Sequence, residues 1–339
     1  MIRELDPEVV VVDILTVGAA LAAELEGRRW ATLVPHVLPT GEPGFPVYSV
    51  GAVYPRTRAG GWLWRLARPL LMRGEAQGRD ELNGARRRVG LPPLAHVHGG
   101  ISRRLALVAT FPQLEYPRRW SASLRATGPL LWEQPFGEVE LPPGDDPLVL
   151  VAPSTSQDPE HGLVRSALEG LAGEPVRVLA SINRRPPSRP LPAVPNALLV
   201  DWVSYSRTMP ACAAVISHAG HGTIARALAC GVPVVACPHA GDMPENAARI
   251  RWAGVGVSLP RRFQTPRGVR LAVRRLLDDR RYAEAAGRLR DWSERHGGAS
   301  TAADALEDLA SAPEDQYPHG VHYDPWKRRR AATPPPRIS

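Results

Sequence analysis

The stretch that decides the fold is residues 198–260, LLVDWVSYSRTMPACAAVISHAGHGTIARALACGVPVVACPHAGDMPENAARIRWAGVGVSLP. Within it an apolar run, Ala214–Ser217, is followed by a glycine-rich turn and then by a helix-like segment, Ile224–Cys230. This order predicts a strand, a turn and a helix. Glycines let the backbone come close to a ligand, and the first free N–H groups of a helix favour an anionic group such as a phosphate.

The same pattern repeats immediately afterwards. Val232–Cys237 predicts a buried parallel strand, His239–Pro244 a loop and Glu245–Ala253 the next helix. Since neighbouring parallel strands end at the same edge of a sheet, the two strand ends present one polar crevice. A single glycine-bearing turn closes many ordinary strand-to-helix connections, so the argument depends on the order of the whole segment.

Four motifs in this stretch follow one another in a specific order: Trp202–Tyr205, His218–Leu228, Gly231–Pro233 and Asp242–Ala247. This order resembles the donor-binding signature of nucleotide-sugar-dependent glycosyltransferases of the GT-B type, in particular the bacterial relatives of the UDP-glycosyltransferases. The resemblance implies an α/β fold with two Rossmann-like, doubly wound domains that face a cleft. It also implies inverting, metal-independent transfer of a hexose-type sugar to a hydroxyl of a small, apolar acceptor, as in natural-product glycosylation, without a cofactor.

The resemblance assigns roles to individual residues. Trp202 is expected to lie against the nucleotide base, and Asp242 to bind sugar hydroxyls. His218, Gly222 and Thr223 are expected to hold the diphosphate, because an imidazole and helix N–H groups stabilise the charge of the leaving group without a metal. The full set of expected donor contacts is Ser154, Thr155, Trp202, His218, Gly220, His221, Gly222, Thr223, Asp242 and Met243.

Two of these residues also have an ordinary interpretation. Ser154 and Thr155 follow a predicted strand, Leu148–Ala152, at the face between the domains. Their hydroxyls are candidate phosphate contacts from the opposite wall of the cleft. Hydroxyls in this position equally serve as N-caps, here of the predicted helix Glu160–Leu171.

Three positions depart from the pattern of the family. Arg226 stands where relatives often have a glutamate for the ribose, Met243 where they have a glutamine beside the aspartate, and Tyr205 where glutamine is common. The diphosphate pocket is unaffected by these changes. They leave the nucleotide, UDP or dTDP, and the sugar open.

The catalytic machinery is predicted to be incomplete. The run VVVVD ends in Asp13, which matches the carboxylate that orients the base histidine in the family. That histidine belongs to a strand–helix unit that precedes this point, and His36, His96 and His98 match no motif. We therefore expect an N-terminal domain that lacks its leading strands. The alternative function is a catalytically impaired fragment or a non-catalytic nucleotide-sugar-binding partner protein.

The chain of 339 residues is long enough for about two domains. We expect an incomplete acceptor-binding domain over residues 1–128 and a linker over 129–146. A donor-binding domain is expected over 147–312 and a disordered tail over 313–339, because the tail is rich in Pro, Arg and His and has no hydrophobic period.

Residues 60–75, GGWLWRLARPLLMRGE, combine tryptophans and leucines with arginines. The interpretation we favour is an ordinary amphipathic core helix bent at Pro69, followed by a separate charged helix over Asp80–Arg88. The alternatives are part of an acceptor pocket for an apolar aglycone, or a peripheral membrane contact through residues 60–73.

Composition excludes several other classes. The net charge of +8 comes from arginines spread along the chain and from a single lysine, Lys327, so no nucleic-acid partner is predicted. Three cysteines without metal spacing, and no apolar run of ~20 residues, predict a soluble cytoplasmic protein. An epimerase is disfavoured because no glutamate-rich cleft is visible, and a dehydrogenase because no G-x-G-x-x-G follows the first strand. The oligomeric state is open.

Overall fold

The computed structural model describes residues 1–95, 101–134, 136–154 and 158–313. Thr155, His96, His98 and the tail from residue 314 lie outside these ranges. No helix in the described ranges is both long and apolar enough to span a bilayer.

The first half of the chain forms a four-stranded parallel sheet, in the order β1-β2-β3-β4. Its elements are α1 (Ile2–Leu5), β1 (Val9–Asp13), α2 (Val17–Leu25), β2 (Arg29–Val34), α3 (Arg58–Arg88), β3 (Leu105–Val108) and β4 (Leu124–Ala126). A short 3₁₀ turn, Pro112–Leu114, follows β3.

Helix α3 corrects one prediction. It is a single helix of 31 residues that contains Pro69, where two helices were expected. The side chain of Thr57 caps its N-terminus by accepting from Gly60 N–H. Near its C-terminus, Arg86 forms two hydrogen bonds of 2.6 and 2.7 Å with the Glu24 carboxylate of α2. These anchors at both ends oppose the local cost of proline, which removes one donor and crowds the preceding turn.

The second half forms a six-stranded parallel sheet, in the order β10-β9-β8-β5-β6-β7. Its strands are β5 (Leu148–Ala152), β6 (Arg177–Ser181), β7 (Ala197–Val200), β8 (Ala214–Ser217), β9 (Val234–Ala236) and β10 (Gly256–Ser258). Its helices are α4 (Gly162–Leu171), α5 (Tyr205–Thr208), α6 (His221–Ala229), α7 (Met243–Ala253), α8 (Pro266–Asp278), α9 (Arg280–Arg295) and α10 (Gly298–Ser311). Two further 3₁₀ turns are Met209–Ala211 and Arg261–Phe263.

Helices cover both faces of this second sheet. One buried cluster packs α6, α7 and α9 against the sheet, and a second packs α4 and α8 against the opposite face. The strands are accordingly near-continuous apolar runs, as is typical of parallel sheets buried on both sides. The strand order reverses between β5 and β8, which makes their carboxyl ends a topological switch point.

The last helix, α10, returns to the first sheet. Ala302, Ala305 and Leu309 pack against Ala31 and two leucines of β3. At its start a Cβ on Gly298 would lie 2.4 Å from the Pro129 carbonyl oxygen, so only glycine allows α10 to approach the linker this closely. The crossing fixes the first sheet relative to the second.

A buried ion network joins the two halves. Arg249 of α7 approaches Glu245 (Nε–Oε1, 2.7 Å) and Glu115 of the first half (Nη1–Oε2, 3.3 Å). Glu115 also accepts from Leu38 N–H at 2.6 Å, and Glu245 accepts from Ser49 N–H at 3.2 Å. All three charged side chains are buried. Because Glu245 binds backbone of the first half and Arg249 reaches Glu115, the network ties α7 to the first half.

Candidate functional site

The switch point is held together by His218, which follows β8. Its Nδ1 accepts a hydrogen bond of 2.9 Å from Ser154 N–H, at the end of β5, so the ring proton is assigned to Nε2. Nε2 lies 3.5 Å from the Asp158 carboxylate. Both ring nitrogens therefore face protein atoms. His218 joins the two loops of the switch point, and a direct contact with phosphate stays a prediction.

Asp158 is a site residue that the sequence analysis did not single out. Its carboxylate accepts from Gly162 N–H at 2.9 Å and Leu163 N–H at 3.0 Å, the first N–H groups of α4. Burial alone raises the pKa of this carboxyl. Hydrogen bonds from His218, Leu163 and Gly162 outweigh burial and hold the pKa well below its usual range. Asp158 thus caps α4. A carboxylate just before a predicted helix is a signal from which the sequence could have predicted this role.

The N-terminus of α6 lies beside Ser154 and His218. Its N-cap is Gly220, so no side chain caps the helix, and Gly222 is exposed. The first N–H groups of a helix have no partner within it and carry the positive end of its dipole. Across the cleft, Pro35 after β2 and Ala109 after β3 line a cavity of about 60 Å³ with His221 and Gly222. An anion in this cleft meets the N-terminus of α6.

His221, the first residue of α6, is buried in the wall of the same cavity. Neither ring nitrogen has a hydrogen-bond partner among the described residues. The Ala109 backbone and the Asn246 amide come close to the ring without forming a well-aligned hydrogen bond. Burial, reinforced by His36, lowers the pKa of His221 to about 4. The imidazole is therefore neutral near pH 7, and both of its nitrogens are buried.

Asp242 precedes α7 and is tied to the α6 loop. Its Oδ2 accepts from the Asn246 side chain at 2.8 Å, and the same amide donates to the Ala219 carbonyl at 2.9 Å. Burial raises the pKa of the Tyr48 hydroxyl far above its ordinary value, and the charge of Asp242 raises it further. Tyr48 belongs to the first half, so the Asp242 carboxylate faces the opposite wall of the cleft across a neutral phenol.

Trp202 lies at the other end of the crevice, beyond β7. The Arg184 guanidinium carbon lies 4.9 Å from its ring centroid, and Phe136 packs edge-on at 6.5 Å. Thr223, in the first turn of α6, is hydrogen-bonded to the Tyr205 hydroxyl. Burial raises the pKa of that hydroxyl to about 12, although the hydrogen bond with Thr223 lowers it. The structure thus brings Trp202, Thr223 and Asp242 to one edge of the sheet, with Met243 directly after Asp242.

Asp13 ends β1 at the carboxyl edge of the first sheet, where its Cα is paired with Leu33 of β2. Its Oδ1 accepts from Leu15 N–H at 2.8 Å. His36 follows β2 at the same edge, and its Nδ1 lies 2.8 Å from the Val37 carbonyl oxygen and 3.4 Å from the Tyr48 hydroxyl. Among the described residues, no histidine contacts Asp13.

A larger cavity of about 550 Å³ opens beside Asp13, between α3 and the loop that follows β2. Its lining is mainly apolar and includes Ile14, Phe45, Tyr48, Trp64, Met72 and Leu82. Glu42, Arg68 and Glu75 add charge. Since Tyr48 lines this cavity and also faces Asp242, the cavity adjoins the crevice.

Two Rossmann-like parallel sheets that face a cleft are the architecture of α/β proteins of the GT-B type. Residues 171–309 match the family model described as "Erythromycin biosynthesis protein CIII-like, C-terminal domain". A 4'-demethylrebeccamycin synthase of Lentzea aerocolonigenes is 32% identical over 243 residues, 68% of this chain and 56% of that protein. A PGL/p-HBAD biosynthesis glycosyltransferase of Mycobacterium tuberculosis (strain ATCC 25177 / H37Ra) is 30% identical over 303 residues, 85% of this chain and 67% of that protein.

Solved structures agree on the fold. The calicheamicin glycosyltransferase CalG4 superposes with a TM-score of 0.70 at 23% identity, covering 92% of this chain and 76% of that one. The glycosyltransferase VinC in complex with dTDP gives 0.64 at 18% identity, covering 91% and 73%. The chain therefore belongs to the nucleotide-sugar glycosyltransferases of the GT-B type. It spans 56% and 67% of the length of the two relatives named above.

Proposed function

We propose that this chain transfers a hexose-type sugar from a nucleoside-diphosphate sugar to a hydroxyl of a small, apolar acceptor, with inversion and without a metal. The observation that supports this most directly is the uncapped N-terminus of α6 at the switch point. It faces Pro35 and Ala109 of the other sheet across a small cavity. A departing nucleoside diphosphate placed there meets N–H donors that stabilise its growing charge.

The donor is expected to lie along the carboxyl edge of the second sheet. Its base stacks on Trp202, where Arg184 and Phe136 complete an aromatic and cationic cluster. Its diphosphate lies at Gly222 and Thr223, with Ser154 and His218 in the adjoining wall. Its sugar reaches Asp242. We infer a thymidine or uridine diphosphate donor, and the dTDP complex of the similar VinC makes dTDP the first nucleotide to test.

The acceptor is expected to occupy the apolar cavity of about 550 Å³. Ile14, directly after Asp13, forms part of its wall, so an acceptor hydroxyl in this cavity lies near the Asp13 carboxylate. Asp13 is the proposed orienting carboxylate of the base. We place the reaction in the cytoplasm, because the three free cysteines suit a reducing compartment.

One observation favours a second function, a nucleotide-sugar-binding protein without turnover. Asp13 contacts no histidine among the described residues, and its carboxylate accepts from the local Leu15 N–H instead. Without an imidazole beside it, an orienting carboxylate has no base to orient toward an acceptor hydroxyl. Binding and turnover therefore have to be measured separately.

Calorimetry with UDP, dTDP and GDP tests the donor site. We expect one nucleotide to bind clearly, with affinity reduced about ten- to a hundred-fold in His218→Ala and in Thr223→Val, the effect of losing about 1.5–3 kcal/mol. The matched control is Thr301→Val, since Thr301 also lies in the first turn of a helix, α10, which packs on the first sheet. No binding of any nucleoside diphosphate would contradict the proposal.

A further inference from the structure

The N-terminal half of α3 presents large apolar side chains to solvent. Trp62, Leu63 and Leu66 are 57%, 61% and 56% exposed. Trp62 and Leu66 are four residues apart and therefore lie one above the other on the same side of the helix. Contiguous exposed apolar groups of this size commonly mark a binding surface. We call Arg58, Trp62, Leu63, Arg65, Leu66 and Arg73 the α3 outer face.

The charge on the α3 outer face has one sign. Arg58, Arg65 and Arg73 are exposed, and residues 58–73 contain no aspartate or glutamate. The first acidic residue of the helix is Glu75. These three arginines pair with no acidic residue among those that the structure describes. A face that combines Trp and Leu with such positive charge is the pattern of helices that lie in the interface of an anionic bilayer.

The opposite side of the same helix serves the cavity. Trp64, Arg68, Met72 and Glu75 line the volume of about 550 Å³. Trp64 follows Trp62 by two positions, and each residue turns an α-helix by about 100°. Trp62 therefore lies on the outer face and Trp64 on the opposite side, in the cavity wall. One helix therefore forms both the exposed basic and apolar face and a wall of the cavity.

We propose that the α3 outer face binds the surface of an anionic bilayer, with Trp62, Leu63 and Leu66 at the acyl boundary and the arginines on lipid phosphates. No helix among the described residues can span the bilayer, so the contact is peripheral. A second copy of the chain fits this face poorly, because a two-fold contact would bring its arginines against each other. If the chain has the proposed function, its acceptor is then a membrane amphiphile that enters the cavity from the lipid side.

Co-sedimentation of the full chain with vesicles tests the surface. We expect binding to vesicles of phosphatidylcholine mixed with phosphatidylglycerol, little binding to pure phosphatidylcholine, and release at high salt. Each arginine adds about 1 kcal/mol near such a surface, so Arg65→Gln/Arg73→Gln lowers the partition coefficient roughly thirty-fold. Trp62→Ser/Leu66→Ser abolishes binding.

The control is Leu271→Ser, because Leu271 is an exposed leucine among the arginines of another helix, α8. Circular dichroism verifies that each variant is folded. Equal binding to both kinds of vesicle, or full binding by Trp62→Ser/Leu66→Ser, overturns the proposal. So does a dimer in light scattering that Trp62→Ser/Leu66→Ser dissociates. Nucleotide calorimetry on the same variants stays unchanged, which separates failure here from failure of the donor site.

Discussion

The charge network between the two halves makes a quantitative prediction for Arg249→Met. Methionine keeps most of the volume of the arginine stem but removes the guanidinium. Arg249 contacts Glu245 at 2.7 Å and Glu115 at 3.3 Å, and donates to the Leu114 carbonyl at 3.1 Å. Glu115 retains Arg118 at 3.2 Å, whereas Glu245 loses its ion-pair partner.

The expected loss in the free energy of unfolding follows from the burial of these groups. Glu245 is 2% exposed and Glu115 7%. Breaking a buried pair by removing one partner costs about 3–5 kcal/mol, because the remaining charge stays in a poorly solvated position. The loss is a large fraction of a typical unfolding free energy of about 5–15 kcal/mol. Arg249→Lys keeps a charge near Glu245 and is expected to lose less.

The loss in unfolding free energy caused by Arg249→Met also depends on pH. Burial raises the pKa of Glu245 even with Arg249 present, and removal of Arg249 raises it further. A carboxyl whose pKa is raised in the folded state destabilises that state only once pH exceeds the pKa of the unfolded chain, about 4.5. The destabilisation by Arg249→Met is therefore small near pH 4 and grows as pH rises through the folded pKa.

Urea unfolding followed by far-UV circular dichroism measures this at several pH values. Arg251→Met is the matched control, since Arg251 lies on the same helix but is exposed, and should change stability by no more than about 0.5 kcal/mol. If Arg249→Met were as stable as Arg251→Met at pH 7.5, or if its loss did not decrease on acidification, the argument from buried charge would be wrong.

Two further predictions concern the site. The pKa of His221 is lowered from 6.5 to about 4, so the free energy of unfolding should fall by about 3 kcal/mol as pH falls from above 6.5 to 4. His221→Asn should remove this part of the pH dependence of stability. His296→Asn, the control, should leave it in place. A wild-type curve without this slope would show that His221 is not a buried neutral imidazole. The second prediction follows from the alternative function, binding without turnover. The chain should bind a nucleoside diphosphate but split the sugar donor slowly, because Asp13 has no histidine partner among the described residues. Release at ordinary enzymatic rates of about 1–10³ s⁻¹, measured with a coupled assay for nucleoside diphosphate, would rule out that account of Asp13.

The sequence by itself determined the architecture of the second half. Apolar runs such as Ala214–Ser217, separated by glycine turns and helix-length segments, predicted alternating strands and helices, and the resemblance of the motifs implied a doubly wound domain. The resemblance of the same motifs predicted donor contacts at His218, Gly222, Thr223 and Asp242. These residues follow strand ends, which meet at one edge of a parallel sheet, and donor binding there stays a prediction. These properties depend on local spacing, which is written directly in the chain.

Only the tertiary structure decided the rest. The sequence predicted one helix within residues 60–75 and a second over Asp80–Arg88, but α3 is one continuous helix, and Arg86 near its end bonds to Glu24, 62 residues away. The core position predicted for that helix was wrong, since Trp62 and Leu66 are exposed. Asp158 opposite His218, and Glu115 opposite Arg249, are separated by 60 and 134 residues respectively. Burial and charge pairing depend on which distant segments pack together, and periodicity within a segment carries no information about that.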